Sequence, residues 1–177
     1  MSSSVNILVL GAEGCGKSLL IKRLQHLTAK GINEVFDEIP PTVPTVGNDI
    51  VKIKINKKEN ILREIGGAMA PIWKNYYKDA NAVIYVIDKS NQFQISASCI
   101  MLLDMLSHPS IKRKNVLLLF NKSDFLSSFS FKQLHKIFRL DDLQKSCDNN
   151  LKIVECSCVQ KNGFDEIIQW ISNLPIG

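Results

Sequence analysis

The chain is 177 residues long, 45% hydrophobic and 22% charged, with a formal net charge of +5. That length suits one domain able to bury a sizeable core, and the composition argues against a collagenous, disordered or membrane-spanning chain. The charge is too mild to make nucleic acid the expected partner: Lys52, Lys54, Lys57 and Lys58, and then Lys112-Arg113-Lys114, read as solvated faces with no nucleic-acid motif beside them.

In chain order, Val5-Asn6-Ile7-Leu8-Val9-Leu10 is a short apolar run that predicts a strand over 5–10. Gly11-Ala12-Glu13-Gly14-Cys15-Gly16-Lys17-Ser18 follows and matches G-x-x-x-x-G-K-[ST], the phosphate-binding loop of P-loop NTPases. Leu19, Leu20, Ile21, Leu24 and Leu27 then recur at helical spacing over 17–29. The loop therefore lies between a strand and a helix, where its backbone N–H groups and the helix N-terminus face an anion. In that frame Lys17 reaches the β- and γ-phosphates and the Ser18 hydroxyl binds Mg²⁺.

A polar, proline-rich loop runs to Gly47, and Asp49–Ile55 alternates as a half-buried strand. Asn56-Lys57-Lys58-Glu59-Asn60 predicts a hairpin turn into a strand over 60–65. Further strands are expected at Ala82–Ile87, Val116–Phe120 and Leu151–Cys156, with helices near 71–78, 92–107, 130–138 and 163–173. This alternation predicts an α/β fold: a mainly parallel sheet, right-handed crossovers, and a ligand at the carboxyl ends of the strands.

Asn121-Lys122-Ser123-Asp124 falls at one such end. The run resembles the N-K-x-D base-reading motif of Ras-like GTPases, which implies that Asp124 accepts two hydrogen bonds from guanine, at N1–H and the N2 amino group, neither of which adenine offers. Lys122 is expected to pack along the base and brace the phosphate loop. Cys156-Ser157-Cys158, after the next strand, is a looser match to a third base-contacting element, in which the Cys158 N–H meets guanine O6.

Over essentially its whole length the chain resembles the ADP-ribosylation-factor-like branch of the small GTPases. Pro44-Thr45-Val46-Gly47 resembles the first switch of that branch, Glu64-Ile65-Gly66-Gly67 its second switch, and Pro71-Ile72-Trp73 through Tyr76-Tyr77 the apolar helix that follows. The resemblance implies a single Ras-like G domain over 1–177: a six-stranded, mainly parallel sheet with helices on both faces, binding GTP/GDP and Mg²⁺. Thr45 is then the threonine of Mg²⁺ and the γ-phosphate, Ser18, Thr45 and Glu64 are the metal-side residues, and Gly67 is a γ-phosphate contact. An effector, an exchange factor and an activating protein are expected to read the switches of a monomer, and Val46, Trp73, Tyr76 and Tyr77 are candidates for the effector surface. Trp73, Tyr76 and Tyr77 equally suit core cover.

Three departures from the branch pattern bear on chemistry. Glu64 stands in place of aspartate, and its extra methylene moves a carboxylate beside a metal that demands near-ideal geometry. Ala68 stands in place of the water-orienting glutamine. The segment from Gly67 to Pro71 is two residues shorter than usual. No catalytic residue is therefore assigned, and intrinsic GTP hydrolysis is expected to be very slow or absent. A non-hydrolysing scaffold that binds nucleotide constitutively or weakly is the alternative, and a P-loop kinase would need a lid with catalytic arginines, whereas Arg23, Arg63, Arg113 and Arg139 form no lid cluster.

The five cysteines are odd in number and form no Cys-x-x-Cys, which suits a reducing cytosol. His26, His108 and His135 are scattered and carry no assigned chemistry. No apolar run approaches a membrane span of about 20 residues. Ser2 stands where myristoylation requires glycine, and Leu174-Pro175-Ile176-Gly177 is no prenylation signal. With the phosphate loop starting at Gly11, no intrinsic anchor is expected. The protein is expected in the cytoplasm, with partners recruiting it to membranes or the ciliary base.

Overall fold

The segment Ala82-Val83-Ile84-Tyr85-Val86-Ile87-Asp88 is buried at every residue, the mark of a central strand covered on both faces. Its side chains alternate between two cores. Ala82, Ile84 and Val86 enter one, and Val83, Tyr85 and Ile87 enter the other. The computed structural model describes residues 4–31, 33–36, 38–127 and 129–175. The readings at Ser2 and at Ile176-Gly177 lie outside the described residues.

The elements run β1 (Val5–Gly11), α1 (Lys17–Lys30), β2 (Asn48–Ile55), β3 (Lys58–Ile65), a 3₁₀ segment (Gly67–Tyr76), β4 (Ala82–Asp88), α2 (Gln92–Ser107), β5 (Asn115–Asn121), α3 (Phe131–Ile137), α4 (Leu140–Ser146), β6 (Asn150–Glu155) and α5 (Phe164–Ser172). The six strands form one sheet in the order β2-β3-β1-β4-β5-β6. β2 pairs antiparallel with β3, and every other pairing is parallel.

On one face Leu20, Leu24 and Leu27 of α1 and Ile167 and Ile171 of α5 close the core. On the other, Ile95, Leu102 and Met105 of α2 and Leu134 of α3 do so, with Trp73 and Tyr77. The expected mainly parallel α/β sheet, with helices on both faces, is the fold observed, and β1, β4, β5 and β6 carry their carboxyl ends to one edge, where the motifs lie.

Four local expectations are corrected. The hairpin turn is only Asn56-Lys57, both with positive φ (49° and 67°), and β3 starts at Lys58 rather than Asn60. A two-residue turn of this hand matches strand twist, so pairing continues to the Ile55–Lys58 pair. The helix expected at 71–78 is a 3₁₀ segment that starts at Gly67 and breaks at Met69 (φ −93°, ψ 16°). Pro71, inside that segment, has no N–H to give an α-helical ladder. The helix expected at 130–138 ends at Ile137, and a second helix, Leu140–Ser146, follows Arg139 in a left-handed conformation (φ 48°). Finally, β6 spans Asn150–Glu155, one residue earlier than expected.

Candidate functional site

The phosphate loop is bent by glycines, and Gly16 shows why. Its φ is 98°, and a Cβ there would stand 2.4 Å from Asn121 Nδ2. Only glycine meets both conditions without strain. α1 begins at the next residue, so its first N–H groups belong to the loop. Lys17 is buried, and its ammonium donates to Gly11 O and Ala12 O, each at 2.9 Å.

Two hydroxyls from separate segments converge on one carboxylate of β3. Ser18 Oγ, at the start of α1, donates to Glu64 Oε1 at 2.7 Å. Thr45 Oγ1, before β2, donates to the same oxygen at 2.8 Å. The two hydroxyls stand 3.1 Å apart. Glu64 is only 3% exposed. Its longer side chain thus reaches both hydroxyl partners from β3. Two hydroxyls and a carboxylate oxygen form a hard-oxygen set, and such a set fits Mg²⁺.

The two glycines after Glu64 pack where no side chain fits. A Cβ on Gly66 would stand 2.3 Å from Thr45 O, and one on Gly67 would stand 2.2 Å from Glu13 N. The Gly66 N–H also donates to Gly47 O at 3.0 Å. The segment after Glu64 is thereby held against both the Thr45–Gly47 segment and the Glu13 loop. Beside them lies a cavity of about 670 Å³, lined by Glu13, Lys17, Ser18, Thr45, Glu64 and Ala68 among others. Ala68 brings only a methyl group to it, so no amide stands at that position to orient a water.

The residues expected to read a base meet at the ends of β5 and β6. Ser157 Oγ donates to Asp124 Oδ1 at 2.5 Å and accepts from Val159 N and Gln160 N, which fixes the carboxylate. Asn121 is the brace of the site. Its Nδ2 donates to Cys15 O at 2.9 Å, and its Oδ1 accepts from Cys158 N at 3.3 Å. The bracing expected of Lys122 is thus performed by Asn121. Lys122 instead pairs with Asp88 Oδ2 at 2.6 Å.

Asp88 was not singled out from the sequence. It ends a buried strand with a polar residue, the same signal that marks Asn121. Arg23 was also missed: its Nε donates to Cys158 O at 3.0 Å, tying α1 to the base loop. Two thiols line these loops. Burial pushes the Cys15 thiol up, and a hydrogen bond that the neutral Cys156 thiol gives to Cys158, together with burial, pushes Cys156 well up. Both are held neutral, as inert packing groups.

Of the four effector candidates, Val46 is 94% exposed and Tyr76 half-buried, whereas Trp73 and Tyr77 are buried. Trp73 Nε1 donates to Gly66 O at 3.2 Å, and its ring meets Tyr85 edge-on at 6.2 Å. In this conformation Trp73 and Tyr77 are core residues that seat the segment after Gly67 on the sheet. The Tyr76 hydroxyl accepts from Asn48 Nδ2 at 3.4 Å, two residues beyond Val46. Among the described residues no helix is long and apolar enough to cross a membrane.

The sequence model of the ADP-ribosylation factor family matches residues 1–174. The chain is 38% identical over 164 residues to human ADP-ribosylation factor-like protein 16, covering 93% of this chain and 83% of that protein. It is 27% identical over 174 residues to ADP-ribosylation factor-like protein 1 of Drosophila melanogaster, covering 97% and 89%. In three dimensions it superposes on the Arl6 BBS3 small GTPase of Trypanosoma brucei with a TM-score of 0.79, covering 96% of this chain and 95% of the other at 20% identity, a likeness of fold. That protein was solved with the bound nucleotide analogue GppNp.

Proposed function

From a chain that belongs to the ADP-ribosylation factor family, a family of GTP-binding switches, we propose a guanine-nucleotide- and Mg²⁺-dependent switch that recruits effectors and hydrolyses GTP very slowly or not at all. One observation carries this reading: Glu64 Oε1 accepts from both Ser18 and Thr45, which joins the phosphate loop to both switches.

Each residue has a role in the proposal. The loop N–H groups and Lys17 hold the β- and γ-phosphates. Ser18, Thr45 and Glu64 would hold Mg²⁺, which when bound neutralises phosphate charge. Asp124, fixed by Ser157, selects guanine. Asn121 keeps base loop and phosphate loop in one frame. GTP would hold Thr45 and Gly67 in the ordered arrangement and GDP would release them. Effectors would then read Val46, Ile50 and Tyr76, which are the exposed or half-exposed groups of that arrangement. The exchange factor and activating protein would act on the same segments, in the cytosol, with membranes or the ciliary base reached through partners.

Phosphoryl transfer rests on positioning and charge stabilisation. The charge clamp is present, and the water-orienting amide is absent at Ala68. Denaturing freshly purified protein and identifying the released nucleotide by anion exchange tests this. Mostly intact GTP is the expected result; mostly GDP would show that another group orients the water. A second reading, a scaffold that binds nucleotide constitutively or weakly, is favoured by the methyl at Ala68. It requires nucleotide affinity that does not respond to Mg²⁺. In single turnover Ala68→Gln is expected to raise phosphate release on the order of tenfold or more.

A further inference from the structure

On the far side of α1 from the phosphate loop lies a second cavity, of about 700 Å³, between that helix and the segment running to Pro41. Its size is that of a small-molecule pocket, about 300–1,000 Å³. Lys22, His26 and Lys30 line it at intervals of four residues, which sets them on one helical face, and Arg23 lies beside them. Glu38 is the acidic group among the lining residues.

Arg23 sits in an unusual state. It is only 4% exposed, and no ion pair reaches it among the described residues. Its Nε is satisfied by Cys158 O, and its guanidinium carbon stands 3.9 Å from the centre of the Phe36 ring. Its Nη2 is buried with no hydrogen-bond partner, and so is His26 Nε2. A buried cation without an anion, next to a second orphaned nitrogen, is costly. An anion in the adjoining cavity would supply the counter-charge that Arg23 lacks among the described residues.

We propose that this cavity is a binding site for a phosphate-bearing ligand, held by Arg23, Lys22, His26 and Lys30. Guanidinium and ammonium groups on one face suit a phosphorylated polyol, whose several oxygens accept from planar and point donors together. Lys22 Nζ also donates to Pro41 O at 2.5 Å, and Pro41 precedes Thr45 by four residues. Arg23 holds the Cys158 carbonyl of the base loop. The occupant therefore touches the supports of the first switch and of the base site without entering the nucleotide pocket.

The chemistry is shared by a soluble inositol phosphate and by a phosphoinositide headgroup, and the test separates them. Protein loaded with GDP and Mg²⁺, so that the phosphate loop is filled, is titrated with inorganic phosphate and with inositol trisphosphate by calorimetry. It is then floated with phosphatidylcholine vesicles, with and without phosphatidylinositol bisphosphate. Saturable binding of inositol trisphosphate is expected. The exposed double variant Lys22→Gln/Lys30→Gln should weaken it about tenfold or more, and Arg23→Gln, checked for an unchanged melting curve, should weaken it further. Co-flotation lost in the same variants identifies a lipid source; binding of the free headgroup alone identifies a soluble one. No saturable binding by any probe overturns the proposal. So does binding that survives Lys22→Gln/Lys30→Gln but is lost in Lys52→Gln/Lys54→Gln, which would mark it as diffuse attraction to the hairpin. Phosphate entering an unfilled phosphate loop would be abolished by GDP and insensitive to Lys22→Gln/Lys30→Gln, so failure of the nucleotide reading stays distinguishable.

Discussion

A single oxygen, Glu64 Oε1, is shared by hydroxyls from two loops, and a carboxylate one methylene longer than the family's usual aspartate reaches both. Glu64→Ala removes that acceptor and the charge for the metal. Dissociation of a fluorescent GDP should then lose most of its response to Mg²⁺ chelation, with the fold intact; an unchanged response would place the metal elsewhere. Gly16 carries a different constraint, a φ of 98° beside the Asn121 amide. Gly16→Ala is expected to cost about 1–3 kcal/mol of stability and to abolish nucleotide binding, read by a thermal melt and a filter-binding titration. For Asp124, alanine should erase preference for GTP over ATP by about a hundredfold or more, measured by competition. The types of these residues are legible in the chain; that Asn121 rather than Lys122 braces the phosphate loop is not, because the brace depends on which side chain turns inward.

The 3₁₀ segment illustrates the limits of reading elements. Apolar spacing at Trp73, Tyr76 and Tyr77 suits a helix, yet Pro71 and the kink at Met69 keep it tight. The same aromatics suit either a surface or a core, and periodicity cannot choose between them. Burial decides for Trp73. Trp73→Ala should cost about 3–5 kcal/mol and lower the melting temperature by roughly 10 °C. Val46→Ala, at a residue 94% exposed, should leave the melting curve in place and weaken effector capture only. A Trp73→Ala melt that stays unchanged would return that residue to the surface. α4 escaped notice because Leu140–Ser146 is two turns long and follows a left-handed Arg139, a break with no glycine to announce it.

At the scale of the whole molecule, the two cores hold several weak acids neutral. Burial raises Tyr77 from 10.0 to about 12 and pushes Tyr85 and Cys15 up as well. Each is protonated in the fold and free to ionise when unfolded. Their stabilising contribution is complete below the ordinary values, 9.0 for a thiol and 10.0 for a phenol, and is lost as pH climbs through the raised ones. Thermal melts should therefore fall steadily at alkaline pH, and Tyr77→Phe should flatten the fall between pH 10 and about 12.

From order and spacing alone, the chain determined an α/β sheet, a glycine-rich loop between strand and helix that matches the phosphate-loop pattern, and an aspartate behind a later strand at the same edge. Those features are local: a few consecutive residues carry both the backbone form and the chemistry. Only the tertiary structure decided what distant residues do to one another. It brought Ser18, Thr45 and Glu64 onto one oxygen, turned Trp73 and Tyr77 into the core, joined Arg23 to the base loop, and left a basic cavity behind α1. Such contacts join segments separated by tens of residues, and their geometry is set by packing, for which no single stretch of sequence carries the pattern.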